Sequence, residues 1–289
     1  MRLFICNGCE KILAAMFSNN IVIYHSNNTH CFVFVFVSFW FLFVLFCFFF
    51  AETASQRPTT DPPDVIINQL KSQDLPDRST HLDDCQLPVD ILLLTVEDCE
   101  FLCCLSYLNP GFCKTFRSGL GCLYLGDMGK DERKQNVAVM SCYRGSASAG
   151  GSTVVVLNAV KVLRPKAVFC VGSCRSLDCN KVKLGDVVVL EKLITYGPCE
   201  ITEGGIKEGG VRVPLNSGLL KVMLRAGDGW QPPLKDLDAR EVEIHRGAFL
   251  SGPEEVIDRK RCEALLERFP EVVAIEREGE GKLFWPVHI

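Results

Sequence analysis

The sequence predicts an α/β fold: a single domain with a central mixed β-sheet flanked by helices, starting near residue 89. Three observations carry this. Short runs rich in Val, Ile and Leu alternate with stretches of helical periodicity, as strands and their crossover helices do. Residues 89–96 (VDILLLTV) are apolar apart from Asp90 and Thr95, the pattern of a strand buried on both faces. Several runs also end abruptly in Gly/Ser or acidic residues, and the strand ends of such sheets are where ligands bind.

After the strand at 89–96, residues 100–108 read as a helix, and 122–125 and 137–142 as further strands. Residues 148–163 have helical periodicity and stop at Arg164-Pro165, since proline disfavours a helical residue before it. Residues 167–171 and 186–190 are strands, and 217–226 a helix. A strand at 242–250 leads into Ser251-Gly252. The helix predicted over 253–269 opens with proline and acidic residues, which suit a helix N-terminus. Residues 271–275 form a last strand. Upstream, residues 52–88 are polar and proline-bearing and read as a linker, with one short helix near 65–72.

The bulk numbers narrow the function. A net charge of −4 argues against a nucleic-acid partner. The sixteen cysteines are scattered, several of them inside apolar runs, where a thiol behaves as a small apolar side chain. A chain this long does not need a disulfide scaffold, so reduced thiols and a cytoplasmic compartment are expected. Residues 31–51 (CFVFVFVSFWFLFVLFCFFFA) carry no charge and are long enough to cross a bilayer. Residues 1–30 precede them and Ala51-Glu-Thr-Ala54 is a poor cleavage site, so a signal peptide fits badly. Residues 1–51 are therefore expected to be a membrane anchor, with the domain on its cytoplasmic side, or an extension outside the working domain.

Residues 170–189 (CVGSCRSLDCNKVKLGDVVV) hold three cysteines, but Cys170, Cys174 and Cys179 lack the paired spacing and the histidines of a zinc site. No metal is expected there. Gly172-Ser173 reads as a turn whose exposed amides face a ligand, or as a plain connection. The loop at 143–151 (YRGSASAGG) matches no phosphate-loop or dinucleotide pattern. In EVVAIEREGEG, Glu276 and Glu278 follow an apolar strand, where a carboxylate can accept two hydrogen bonds from a ribose diol or simply sit solvated. Glu97, Asp98 and Glu100 carry the same ambiguity, because acidic groups favour a first helical turn whatever their function.

Taken together, VDILLLTVEDCEF, the segment around Gly172-Ser173 with KLGDVVV, HRGAFLSGPEEV and VVAIEREGEG resemble the nucleoside phosphorylase superfamily in order and spacing. The likeness spans about residues 89–281 and is to the purine/uridine phosphorylases and the methylthioadenosine/S-adenosylhomocysteine nucleosidase and nucleoside phosphorylase-like branch. It implies one phosphorylase/hydrolase-like domain over 89–289 and cleavage of the N-glycosidic bond of a purine-type nucleoside. The nucleophile is water, or phosphate as co-substrate, and no other cofactor is implied. The resemblance also implies a small-molecule nucleoside partner and a homo-oligomer. By position, Glu278 matches the ribose-binding carboxylate, and Gly172 and Ser173 line the nucleophile site. Glu100 matches the carboxylate beside the attacking water, Val256 the backbone contact to the base, and Arg277 stands at a methionine's place beside the ribose.

The departures are specific. Cys170 replaces a phosphate-binding arginine and Glu100 repels phosphate, so hydrolysis is expected, although Arg144 and Arg175 could serve an anion. Glu255 replaces an aromatic that stacks on the base. The family's general-acid aspartate lies on a later strand that residues 279–289 do not match, so the domain reads as C-terminally incomplete. Since such a step supplies about 10²–10⁴-fold, slow or absent turnover is expected. The alternative reading is an inactive nucleoside-binding or membrane-tethered interaction module.

Overall fold

The computed structural model describes residues 31–38, 70–82, 87–130, 134–144, 152–177, 181–182, 186–196, 199–202, 205–208, 211–214, 220–221, 225, 243–252 and 259–277. Strands β1 (Cys31–Ser38), β2 (Ser79–Thr80) and β3 (Ile91–Thr95) precede helix α1 (Asp98–Ser106). Strands β4 (Cys113–Arg117), β5 (Gly121–Met128) and β6 (Gln135–Ser141) lead to α2 (Ser152–Leu163). Next come β7 (Ala167–Ser176), β8 (Val187–Thr195), β9 (Cys199–Thr202), β10 (Gly205–Glu208) and β11 (Arg212–Pro214). The series closes with β12 (Ile244–Ser251), α3 (Arg259–Arg268) and β13 (Val272–Glu276).

One mixed sheet runs β1–β8–β12–β13–β7–β3–β6–β5–β4–β2, with β11 on β8 and a further pairing of β1 with β7. Strand β3 is parallel to both its neighbours, β6 and β7, whereas β13 meets β7 antiparallel. The mixed α/β architecture is as expected. β3 is buried along its whole length because its two faces serve two cores. Leu92 and Leu94 face Val156, Ala159, Val160 and Leu163 of α2. Ile91 and Leu93 face Cys103, Cys104 and Leu105 of α1. A third cluster packs Leu265 and Phe269 against Ile194, Leu250 and Val272. Alternation of successive side chains across a strand allows one apolar run to serve both layers.

Several expectations shift. β7 continues through Gly172-Ser173 to Ser176, so that pair is strand and not a turn. Glycine's missing side chain does not force a turn when both strand edges find partners. Helix α2 ends as expected, with Arg164 in the left-handed region at φ 45°. Strand β4 was not foreseen: CKTFR is short, charged and at the sheet's margin, with Phe116 exposed. The first eight residues of the apolar run at 31–51 form β1 rather than a transmembrane helix, and 39–51 lie outside the described residues. Alternating Phe and Val favour extended backbone, and the sheet supplies hydrogen-bond partners that a helix would have to find within itself. No helix among the described residues is long and apolar enough to cross a membrane. Of the helix expected near 65–72, Leu70 and Lys71 are not helical but lead into a 3-10 turn at Ser72–Asp74, and residues 65–69 lie outside the described residues. Most of the helix expected at 217–226 lies outside them as well.

Candidate functional site

Glu100 is the centre of the described site. It occupies the third position of α1, directly after β3. Its Oε2 accepts the backbone N–H of Glu97 at 3.0 Å and that of Val96 at 3.1 Å. These bonds belong to helix capping, in which a third-position carboxylate reaches back to the orphan amides. Its Oε1 does something capping does not require. It accepts the N–H of Ser173, 73 residues away on β7, at 2.8 Å. Glu100 is only 2% exposed. Burial, the largest influence, raises its pKa, and the nearby Glu97 charge adds to that, while the three amide bonds pull the other way.

A carboxylate has about four acceptor positions. Three are filled by amides, which leaves one on Oε1 beside Ser173. Gly172 is buried and Ser173 half-buried. The structure therefore brings Glu100, Gly172 and Ser173 together, as the sequence suggested.

Strand β13 approaches the same place from the opposite direction. Its register sets Ala274 opposite Ser176 and Ile275 opposite Arg175, so it runs towards Cys174 and Ser173 as it leaves the sheet. Glu276, at its end, is buried, and its carbonyl accepts the N–H of Gly252 at 3.3 Å. Ser251 pairs with both Glu276 and Thr195. Tyr196 lies against Gly252, where no side chain would fit. Arg277 follows at this rim and is half-buried. Glu278, Val256 and Glu255 lie outside the described residues.

Three contacts were not foreseen from the sequence. Glu97 pairs with Arg144, Oε1 to Nε 2.6 Å, so this arginine's charge is neutralised locally. Tyr196 and Gly252 form the tight contact just described, and the only sequence sign of it was the glycine after a strand. Asp186, in the KLGDVVV segment, is 2% exposed. It accepts the Glu243 N–H at 3.1 Å and meets His245 Nε2 at 2.8 Å, fixing the start of β12 beside β8.

No family model matches the sequence. A death domain-containing ATP nucleosidase from Amphimedon queenslandica is 26% identical over 218 residues, 69% of this chain. The chain spans about 40% of that relative's length. Among solved structures, the methylthioadenosine/S-adenosylhomocysteine nucleosidase of Neisseria meningitidis, in complex with methylthio-immucillin-A, superposes with a TM-score of 0.54 at 17% identity, over 67% of this chain and 77% of that one. The Colwellia psychrerythraea nucleosidase, in complex with adenine, gives 0.53 at 15% identity over 68% and 75%. A futalosine hydrolase mutant of Helicobacter pylori gives 0.51 at 16% identity over 69% and 84%. With the motif order in the sequence and the strand topology around Glu100 and Ser173, these likenesses show that the chain shares the fold of these nucleosidases and is similar in sequence to the ATP nucleosidase.

Proposed function

We propose that the domain binds an adenosine-type nucleoside, or the corresponding nucleotide, and cleaves its N-glycosidic bond with water. The observation that carries this reading is the Glu100–Ser173 bond, which holds a buried carboxyl with one acceptor position left over. Cleavage through an oxocarbenium-like state needs a nucleophile fixed below the sugar. A water bonded to Glu100 Oε1 and the Ser173 region would be such a nucleophile, with Glu100 as its general base. A base whose pKa lies above the usual carboxylate range accepts a proton more readily near neutrality.

Water is favoured over phosphate by charge. Glu100 is itself acidic, and Arg144 is paired with Glu97 rather than left open to an anion. Glu278 is the proposed ribose anchor, two residues past β13, whose register already runs towards Ser173. Val256 and Arg277 are the proposed neighbours of the base and the ribose. The adenosine-type substrate is supported by the ATP nucleosidase relative and by the adenine-bound neighbour.

The test is release of free base from adenosine, methylthioadenosine, ATP and inosine by the full chain, with and without phosphate, beside calorimetric binding of the same compounds. Binding of an adenine compound is expected, and any base release, slow as the sequence implies, should not require phosphate. Glu278→Ala should weaken binding at least about tenfold, since charge-assisted hydrogen bonds contribute roughly 1.5–3 kcal/mol each. Strict phosphate dependence would overturn the hydrolytic reading. Equal affinity in wild type and Glu278→Ala would remove Glu278 from the site.

A further inference from the structure

The apolar segment at residues 31–38 bears on the site through its backbone. β1 lies parallel to β7 and in register with eight residues of it, from Cys31 opposite Ala167 to Ser38 opposite Cys174. On its other edge it pairs antiparallel with β8, Val35 opposite Val189 and Val37 opposite Val187. The circuit then continues from β8 to β12, from β12 to β13, and from β13 back to β7. These five strands close on themselves, so that β8 is paired on both edges at Val187–Val189 and β7 is covered by β1 from Ala167 to Cys174.

β1 matters most where the site is built. β3 pairs with β7 only as far as Cys170, and β13 begins at Arg175. Between those limits, β1 is the strand that pairs with β7 among the described residues. Successive backbone N–H groups of a strand point to opposite edges. The N–H of Ser173 goes to Glu100, so those of Gly172 and Cys174 point towards β1. Glu100 fixes one edge of the segment and β1 fixes the other.

We propose that residues 31–38 are a working strand of this domain, a positioning element that holds the backbone of residues 172–174 against Glu100, and not part of a membrane anchor. This holds whichever ligand the site takes.

Hydrogen exchange on the full chain without ligand tests it, together with flotation on phosphatidylcholine/phosphatidylserine vesicles. In wild type, the amides of residues 31–38 and of Gly172 and Cys174 should be protected without lipid. Val35→Pro removes an N–H from a residue paired on both edges. It should speed exchange at residues 172–174 at least about tenfold while residues 91–95 and 137–141 keep their protection. Val35→Thr, still compatible with a strand, should leave the pattern unchanged. If Val35→Pro unfolds the whole domain, the strand is still integral, because an anchor or appended extension would leave the fold intact. The proposal fails if residues 31–38 exchange like an unfolded chain, if they gain protection only with vesicles, or if Val35→Pro leaves residues 172–174 unchanged.

Discussion

Glu100 serves two structures at once. Its Oε2 completes the start of α1, and its Oε1 ties that helix to β7. Glutamine keeps the size but replaces one acceptor by a donor, and all three partners are N–H groups, so at least one bond must be lost. Glu100→Gln should therefore cut base release by about 10²–10⁴-fold, the usual effect of removing a general base. The same pair of proteins gives a pH test. The folded-state pKa of Glu100 is raised by burial. Its contribution to stability is thus fully present below the unfolded value and is lost as pH rises through the folded one. Asp127, lowered by hydrogen bonds from Asn109 and Lys134, and Glu271, lowered first by its own backbone amide, titrate in the other sense. Both are common to wild type and variant and cancel in the difference. The Tm of wild type minus that of Glu100→Gln should fall as the pH is raised from the ordinary glutamate range towards neutrality. A difference that rises over that range would contradict the raised pKa.

Where β8 and β12 end, the packing leaves no room for adjustment. A Cβ on Gly252 would overlap the Tyr196 ring and come within 2.5 Å of Cζ. Tyr196 is 2% exposed and cannot swing away. Gly252→Ala should destabilise the domain by about 1–3 kcal/mol, as overpacking generally does. The distinguishing measurement is a double-mutant cycle by urea unfolding with Tyr196→Ala. Removing the ring should make the alanine at 252 nearly harmless, so the two effects should be clearly non-additive. Simple additivity would show that the ring is not what Gly252 accommodates. The β12–β13 pair has a second contact of this kind, since a Cβ on Gly247 would meet Cγ1 of Val273 at 2.8 Å.

Among the described residues the two main apolar layers lie on the faces of the sheet beside a third cluster at Leu265 and Phe269, and cysteines take part in them as small apolar residues. Among the described residues no disulfide forms. Cys103 and Cys104 sit with Leu105 and Ile91 in one layer, and Cys142, Cys170 and Cys174 in the other. Cys122 is exposed on β5. In the native protein a maleimide should label Cys122 well before any of these five, which should react only after denaturation. Labelling of Cys103 or Cys104 at the rate of Cys122 would mean that the α1 layer is not closed.

The α/β class, both central strands and the helices flanking them were written in the chain itself. Apolar period and breaker residues are local signals, and Arg164-Pro165 marks the end of α2 as clearly in the sequence as in the structure. That Glu100 comes to lie against Gly172 and Ser173 was legible because their motifs keep order and spacing. Other features depended on pairing between distant segments, which no local pattern records. β4 forms because β5 offers it an edge, and Gly172-Ser173 stays extended because β1 and Glu100 satisfy its two sides. The apolar run at 31–38 shows this most clearly. By composition it suits a bilayer or a sheet equally, since both remove apolar side chains from water. Only the paired edges of β7 and β8 decide for the sheet, because they supply the backbone partners that composition leaves unspecified.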